Sequence, residues 1–122
     1  MNQNKNLNNL NNYYDLREDW HLIEASFAKQ YGIRLRKEGD MPFAEFASLL
    51  SGLMPDTPLG QVVAIRAEKD PEVIKNFTYE QKKIYNEWQK KKALQMQKED
   101  YEEQMKNISL ILKSLFGKDN KQ

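Results

Sequence analysis

Met41–Arg66 reads MPFAEFASLLSGLMPDTPLGQVVAIR and holds three of the chain's four prolines and no lysine. Its apolar residues fall at helical spacing on both sides of Pro55. Phe43, Phe46, Ala47, Leu50 and Leu53 make one stripe; Leu59, Val62 and Val63, with Ile65 nearby, make a second. Asp40 before Pro42 predicts a capped helix start, because a proline in the first turn loses no needed hydrogen bond. Thr57-Pro58 repeats that signal, and Pro55 separates the two helices. A helix-turn-helix of this kind cannot bury both stripes alone. The rest of the chain has to supply the missing partner.

The partner lies upstream. Leu16, Trp20, Ile23, Phe27 and Tyr31 recur at spacings of four, three, four and four, which predicts a helix over 14–31. Gly32 is its expected left-handed stop. Ile33 and Leu35 alternate with Arg34 and Arg36, but a lone strand has nothing to pair with, so this segment is expected as a buried loop edge. The predicted core is Trp20, Phe27, Phe43, Phe46, Leu50, Val62 and Trp88. Arg66, in an apolar setting, is expected to pair with a carboxylate such as Glu45 or Glu68. Residues 1–12 are Asn-rich, with only Leu7 and Leu10 to anchor them, a composition that cannot repay its ordering entropy.

Downstream, Asp70-Pro71 opens a short turn, and Thr78 with Gln81 forms a capping box at the start of a long helix. No proline or glycine interrupts Tyr79 to Phe116, which as one helix spans on the order of 55 Å. Gln89 to Asp100 is mostly polar and includes Lys90, Lys91 and Lys92. Apolar residues then return as Tyr101, Met105, Ile108, Leu112 and Leu115, at coiled-coil spacing, followed by Phe116. So much apolar surface on a helix end has to bury against another chain or fold home through a kink near Lys90–Lys92. Gly117 is expected to end the helix. The sequence thus predicts an all-α protein: a tail over 1–13, a helical core of three to four short helices over 14–88, a long helical extension over 89–116 for self-association or partner binding, and a tail over 117–122.

The chemistry is sparse. The chain has 122 residues, no cysteine, one histidine and a formal charge of +1, so it has neither thiolate metal ligands nor a global field for nucleic acid or anionic membranes. His21 lies near Asp19 and Ser26, but the spacing is not that of a triad. The carboxylates read as solvated helix faces. GLMPDTPLG lacks the Gly-Lys-Ser/Thr ending of a phosphate loop and follows a helix. No cofactor, metal or catalytic residue is expected. Lys90, Lys91 and Lys92 are the candidate phosphate contacts, although neighbouring Glu87, Glu99 and Asp100 dilute their field. Membrane insertion is not expected, because no apolar run approaches about 18 residues.

The segments DWHLIEASFAKQYGIRL, MPFAEFASLLSGLMPDTPLGQVVAIRAEKD and FTYEQKKIYNEWQKKKA together resemble small proteins of tailed-phage morphogenesis modules in Gram-positive bacteria. They are similar to the downstream half of the phage gene-product-fifteen family and to tail assembly chaperones encoded before the tape-measure gene. The resemblance spans residues 14–93 and rests on Tyr31-Gly32-Ile33, on the helix around Phe43 and Phe46 ending at Leu49-Leu50-Ser51-Gly52-Leu53, on Ile65-Arg66 and on Glu80-Gln81-Lys82. It implies a non-enzymatic chaperone of the host bacterial cytoplasm, absent from the mature virion. Such a protein binds the tape-measure protein and helps recruit tail-tube protein, with self-association as a homo-oligomer open to it. Those chaperones often carry a preceding portion, and the heptad-like C-terminus is not part of the pattern. This chain therefore reads as one half of a split or frameshifted chaperone or as a stand-alone relative. A small nucleic-acid-binding or regulatory phage protein using Lys90–Lys92, and a structural subunit kept in the virion, are the competing expectations.

Overall fold

The computed structural model describes residues 13–120, and for 118–120 the backbone alone. The expected tail over 1–12 and the last two residues lie outside the described residues. Five α-helices follow in order: α1 (Trp20–Tyr31), α2 (Phe43–Ser51), α3 (Pro58–Ala67), α4 (Pro71–Lys75) and α5 (Tyr79–Asn120), with a 3-10 turn at Leu35–Lys37. No strand occurs among the described residues, and the all-α class with a long C-terminal helix is what the sequence predicts. The chain divides into two compact units, one ending at Tyr85 and one beginning at Asn86.

In the first unit α1 packs on α2, on α3 and on the 3-10 turn. Its core is Ile23, Phe27, Leu50, Leu53, Leu59 and Val63, with Tyr13, Tyr14, Tyr31, Ile33, Phe46 and Leu49 packed around it. This corrects the expected core in four places. Val63 turns inward and Val62 does not, because Leu59 and Val63 share the face of α3 that meets α1. Phe43 begins α2 at the edge of the cluster and is 74% exposed. Trp20, at the first position of α1, is also exposed. Trp88 is buried but stands in the second unit, outside this cluster.

Local signals account for most boundaries. Thr57 Oγ1 accepts from the Gly60 amide at 3.1 Å and donates to Met54 O at 2.7 Å, so the cap also closes the turn before it. Asp70 caps α4 through the Glu72 amide at 3.0 Å. Thr78 and Gln81 exchange both capping-box bonds, at 2.9 and 3.2 Å. Gly32, at φ 68°, ends α1 by donating to Ala28 O at 3.1 Å.

Three boundaries differ from expectation. Asp40 does not cap α2; Pro42 takes the cap position with no side-chain bond. The first helix starts at Trp20, not at Tyr14. Asp15 Oδ1 accepts from the Arg17 and Glu18 amides and Asp19 Oδ2 from the Asp15 amide, so residues 15–19 close as a separate carboxylate-held turn. Gly117 does not end α5, which is helical through Lys90–Lys92 and on to Asn120, so no break for a kink occurs there.

Arg66 pairs with Asp19, not with Glu45 or Glu68. Nη1 reaches Oδ2 at 2.8 Å and Nη2 reaches Oδ1 at 3.1 Å, and both side chains are largely buried. Nη1 also donates to Tyr13 O at 3.0 Å. The two-pronged geometry suits a guanidinium and would not survive a change to lysine intact. Deeper in the interface, Ser26 Oγ donates to Leu22 O at 2.6 Å and accepts from the Leu59 amide at 2.9 Å. Gly60 lets α3 pack against the turn before it: a Cβ there would collide with the Met54 carbonyl oxygen and lie 2.8 Å from Pro55 Cα, both backbone atoms that cannot swing aside.

Gly60→Ala should therefore destabilise the first unit by about 1–3 kcal/mol, an overpacking cost. Arg66→Met, which leaves Asp19 as a buried carboxylate without its countercharge, should cost about 3 kcal/mol. Urea unfolding followed by circular dichroism reads both changes.

Candidate functional site

Ser26, Asp19 and His21, which lie close in sequence, are placed separately in the fold. Ser26 is fully buried and commits its hydroxyl to Leu22 and Leu59, Asp19 is committed to Arg66, and His21 is exposed on the flank of α1. Among the described residues no group of three or more His, Asp or Glu is placed to hold a metal. No helix among them is long and apolar enough to cross a membrane. Among the described residues, exposed apolar side chains gather on two surfaces.

The first surface grows out of the core of the first unit. Phe27, fully buried, stacks on Phe46 with ring centroids 5.4 Å apart, and Phe46 in turn meets Trp20 at 5.8 Å and Phe43 at 6.2 Å. The aromatic series thus starts in the interior and ends at solvent. Leu16 stands exposed beside Trp20, and Asp15, Leu16, Arg17 and Trp20 line a shallow open depression. Sequence reasoning placed Trp20 and Phe43 in the core, because their spacing continues the buried stripes. The signals that would have exposed them are positional: each is the first residue of its helix, where the stripe runs out of neighbours.

The C-terminal end of α1 is tied to α2 and to the chain that follows it. Gln30 uses both ends of its amide on the chain after α2, donating to Gly52 O at 2.8 Å and accepting from the Met54 amide at 2.7 Å. Lys29 Nζ donates to Asp56 O at 2.7 Å, and the Tyr31 hydroxyl donates to Leu49 O at 2.7 Å. Burial pushes the Tyr31 phenol above its ordinary 10.0. None of these four backbone contacts was visible in the sequence, since each depends on how α1 crosses the connection between α2 and α3.

The second surface lies in the second unit. Tyr101, Met105, Ile108, Leu112, Leu115 and Phe116 are between 46% and 63% exposed. Leu94, seven residues before Tyr101 and also exposed, belongs to the same seam and was missed because Lys98 interrupts the apolar spacing. Leu110 and Ile111 widen it. The lysine run does not form a stripe: Lys90 and Lys92 are exposed, whereas Lys91 Nζ sits 5.4 Å from the centre of the Trp88 ring.

Against known families, the model for Bacteriophage Gp15 protein matches residues 1–94, and the chain belongs to that family. It is accordingly a phage structural or morphogenesis protein. No curated protein and no solved structure matches it. The matched span holds the whole first unit, including Leu16, Trp20 and Phe43, and stops before Tyr101.

Because Phe43 lies on the rim and Phe27 in the interior, the two aromatics should separate cleanly in stability. Phe43→Ser should shift unfolding by less than about 0.5 kcal/mol. Phe27→Ala should cost about 3–5 kcal/mol, read in the same urea titration.

Proposed function

We propose that this protein is a non-enzymatic tail assembly chaperone. It binds the apolar helices of the tape-measure protein in the host bacterial cytoplasm, helps recruit tail-tube subunits, and leaves before the virion is complete. The observation that carries this reading is the rim of Leu16, Trp20 and Phe43, apolar side chains left at solvent within the residues that the phage family model matches. An apolar rim over a rigid aromatic base suits an amphipathic helix laid along it, which is a recurrent way of capturing helical clients. Aromatic anchors dominate such contacts, whereas a ring with no client only adds exposed surface. The charge pattern agrees, since the chain has a formal charge of +1 and its one lysine run is split by the contact between Lys91 and Trp88.

Co-expression with the tape-measure protein of the same phage, followed by pull-down, tests the proposal. The wild-type chain should retain the tape-measure protein and keep it soluble. Phe43→Ser and Trp20→Ser should each lower its recovery at least tenfold, roughly the loss of 1.4 kcal/mol of binding, with the thermal melt of Phe43→Ser nearly unchanged. Equal recovery by wild type and both variants would overturn the rim as the client site. Salt-sensitive retention of DNA in place of the tape-measure protein would overturn the chaperone reading itself.

A further inference from the structure

From Tyr101 onward the seam of the second unit lies beyond the matched family span, and it is apolar where residues 89–100 are mostly polar. Continuing its heptads places Leu94, Tyr101, Ile108 and Leu115 at one core position and Lys98, Met105 and Leu112 at the other. Every apolar member is between 46% and 63% exposed. A lone helix of this composition is marginal in water, so the exposed seam is a strong drive to pair.

Charge along the helix says what it pairs with and in which direction. Residues 99–103 carry Glu99, Asp100, Glu102 and Glu103 and no base. Residues 104–116 carry Lys106 and Lys113 and no acid. Two copies side by side in parallel would set the carboxylate block against itself, Lys98 against Lys98 within the core, and Lys90–Lys92 against their own copies. Two copies in antiparallel array, with Met105 of each level with Ile108 of the other, remove all three conflicts. Tyr101 then meets Leu112, and the carboxylate block lies opposite residues 110–114, which hold Lys113 and no acid. Lys98 falls at the outer ends beside Leu115. There its stem can cover apolar surface while the ammonium reaches water near the C-terminal, electronegative end of the other helix.

From this complementarity we infer that the second unit is a self-association element, joining two copies of this chain as an antiparallel pair of α5 helices centred between Met105 and Ile108. Individual surface charges contribute little to affinity, so their role here is to select direction, while the apolar layers supply the attraction. The inference does not rest on client binding, which involves a different surface.

Orientation is read directly by engineered disulfides, because the chain has no cysteine of its own. In the antiparallel pair Glu102 of one copy lies within two residues of the level of Ser109 of the other, on the same flank, whereas it is nine residues out of register with Glu102 of the other copy, too far for a disulfide. The experiment uses the full chain without client. Sedimentation should give a dimer. Glu102→Cys mixed with Ser109→Cys should form a covalent dimer under mild oxidation, and neither variant alone should do so. Ile108→Asp should return the chain to a monomer with the melt of the first unit preserved. A monomeric wild type, a trimer or larger species, or ready self-linking of Met105→Cys in the absence of the mixed disulfide would overturn the proposal. A dimer that retains no tape-measure protein would leave this inference standing and count against the chaperone reading alone.

Discussion

The first unit depends on one crossing, that of α1 over α3, and that crossing is fastened by polar contacts at two depths. At one end, the Arg66 guanidinium grips the Asp19 carboxylate and the Tyr13 carbonyl. In the interior, Ser26 accepts from the Leu59 amide and so gives a helix-start donor, which the helix itself leaves without a partner, a bond where water is excluded. A buried ion pair is poor evidence of net stability, because desolvating both charges offsets much of their attraction. Its value is directional. Apolar packing of Ile23, Phe27, Leu59 and Val63 would tolerate small slips of one helix along the other, and the bidentate pair does not. Gly60 completes the constraint by removing the one side chain that would hold α3 away from the turn before it.

That fixed crossing produces the apolar rim. Once α1 is registered on α3, Lys29 and Gln30 reach the connection between α2 and α3, and Tyr31 reaches the last turn of α2, each holding the backbone. The position of α2 then follows, and with it the stack of Phe46 on Phe27 that leaves Trp20 and Phe43 outermost. Exposed aromatics on a mobile scaffold would collapse inward. On a scaffold pinned this way they remain available, so the polar fastening inside the unit and its apolar surface are two consequences of the same arrangement.

The sequence was most legible where a signal is local. Thr57-Pro58 and Thr78 with Gln81 marked two helix starts correctly, and Asp70-Pro71, read as opening a short turn, caps the five-residue α4, because a cap is an interaction between residues two or three apart. The heptad spacing from Tyr101 to Leu115 likewise needed nothing but the helix itself. Legibility failed where a choice depended on a partner distant in the chain. Asp19 and Arg66 are 47 residues apart, and nothing near Arg66 in sequence distinguishes Asp19 from Glu45 or Glu68. Val62 and Val63 are equally apolar, and only the direction from which α1 arrives decides between them. Trp20 and Phe43 continue buried stripes in the sequence and lie outside the core because helices end there, a fact of topology that periodicity does not carry.

The second unit obeys a different constraint. The apolar seam of its helix from Leu94 to Phe116 stands at solvent, so its order should depend on association while that of the first unit depends on the crossing. Native-state hydrogen exchange tests the central role of the crossing most directly. The account predicts that the amides of Phe27 in α1 and of Leu59 and Val63 in α3 exchange through one common opening, and that Asp19→Asn lowers their protection together and by the same amount. Protection that falls in α1 while α3 is unchanged would contradict it, and would mean that the two helices are held by their apolar faces alone.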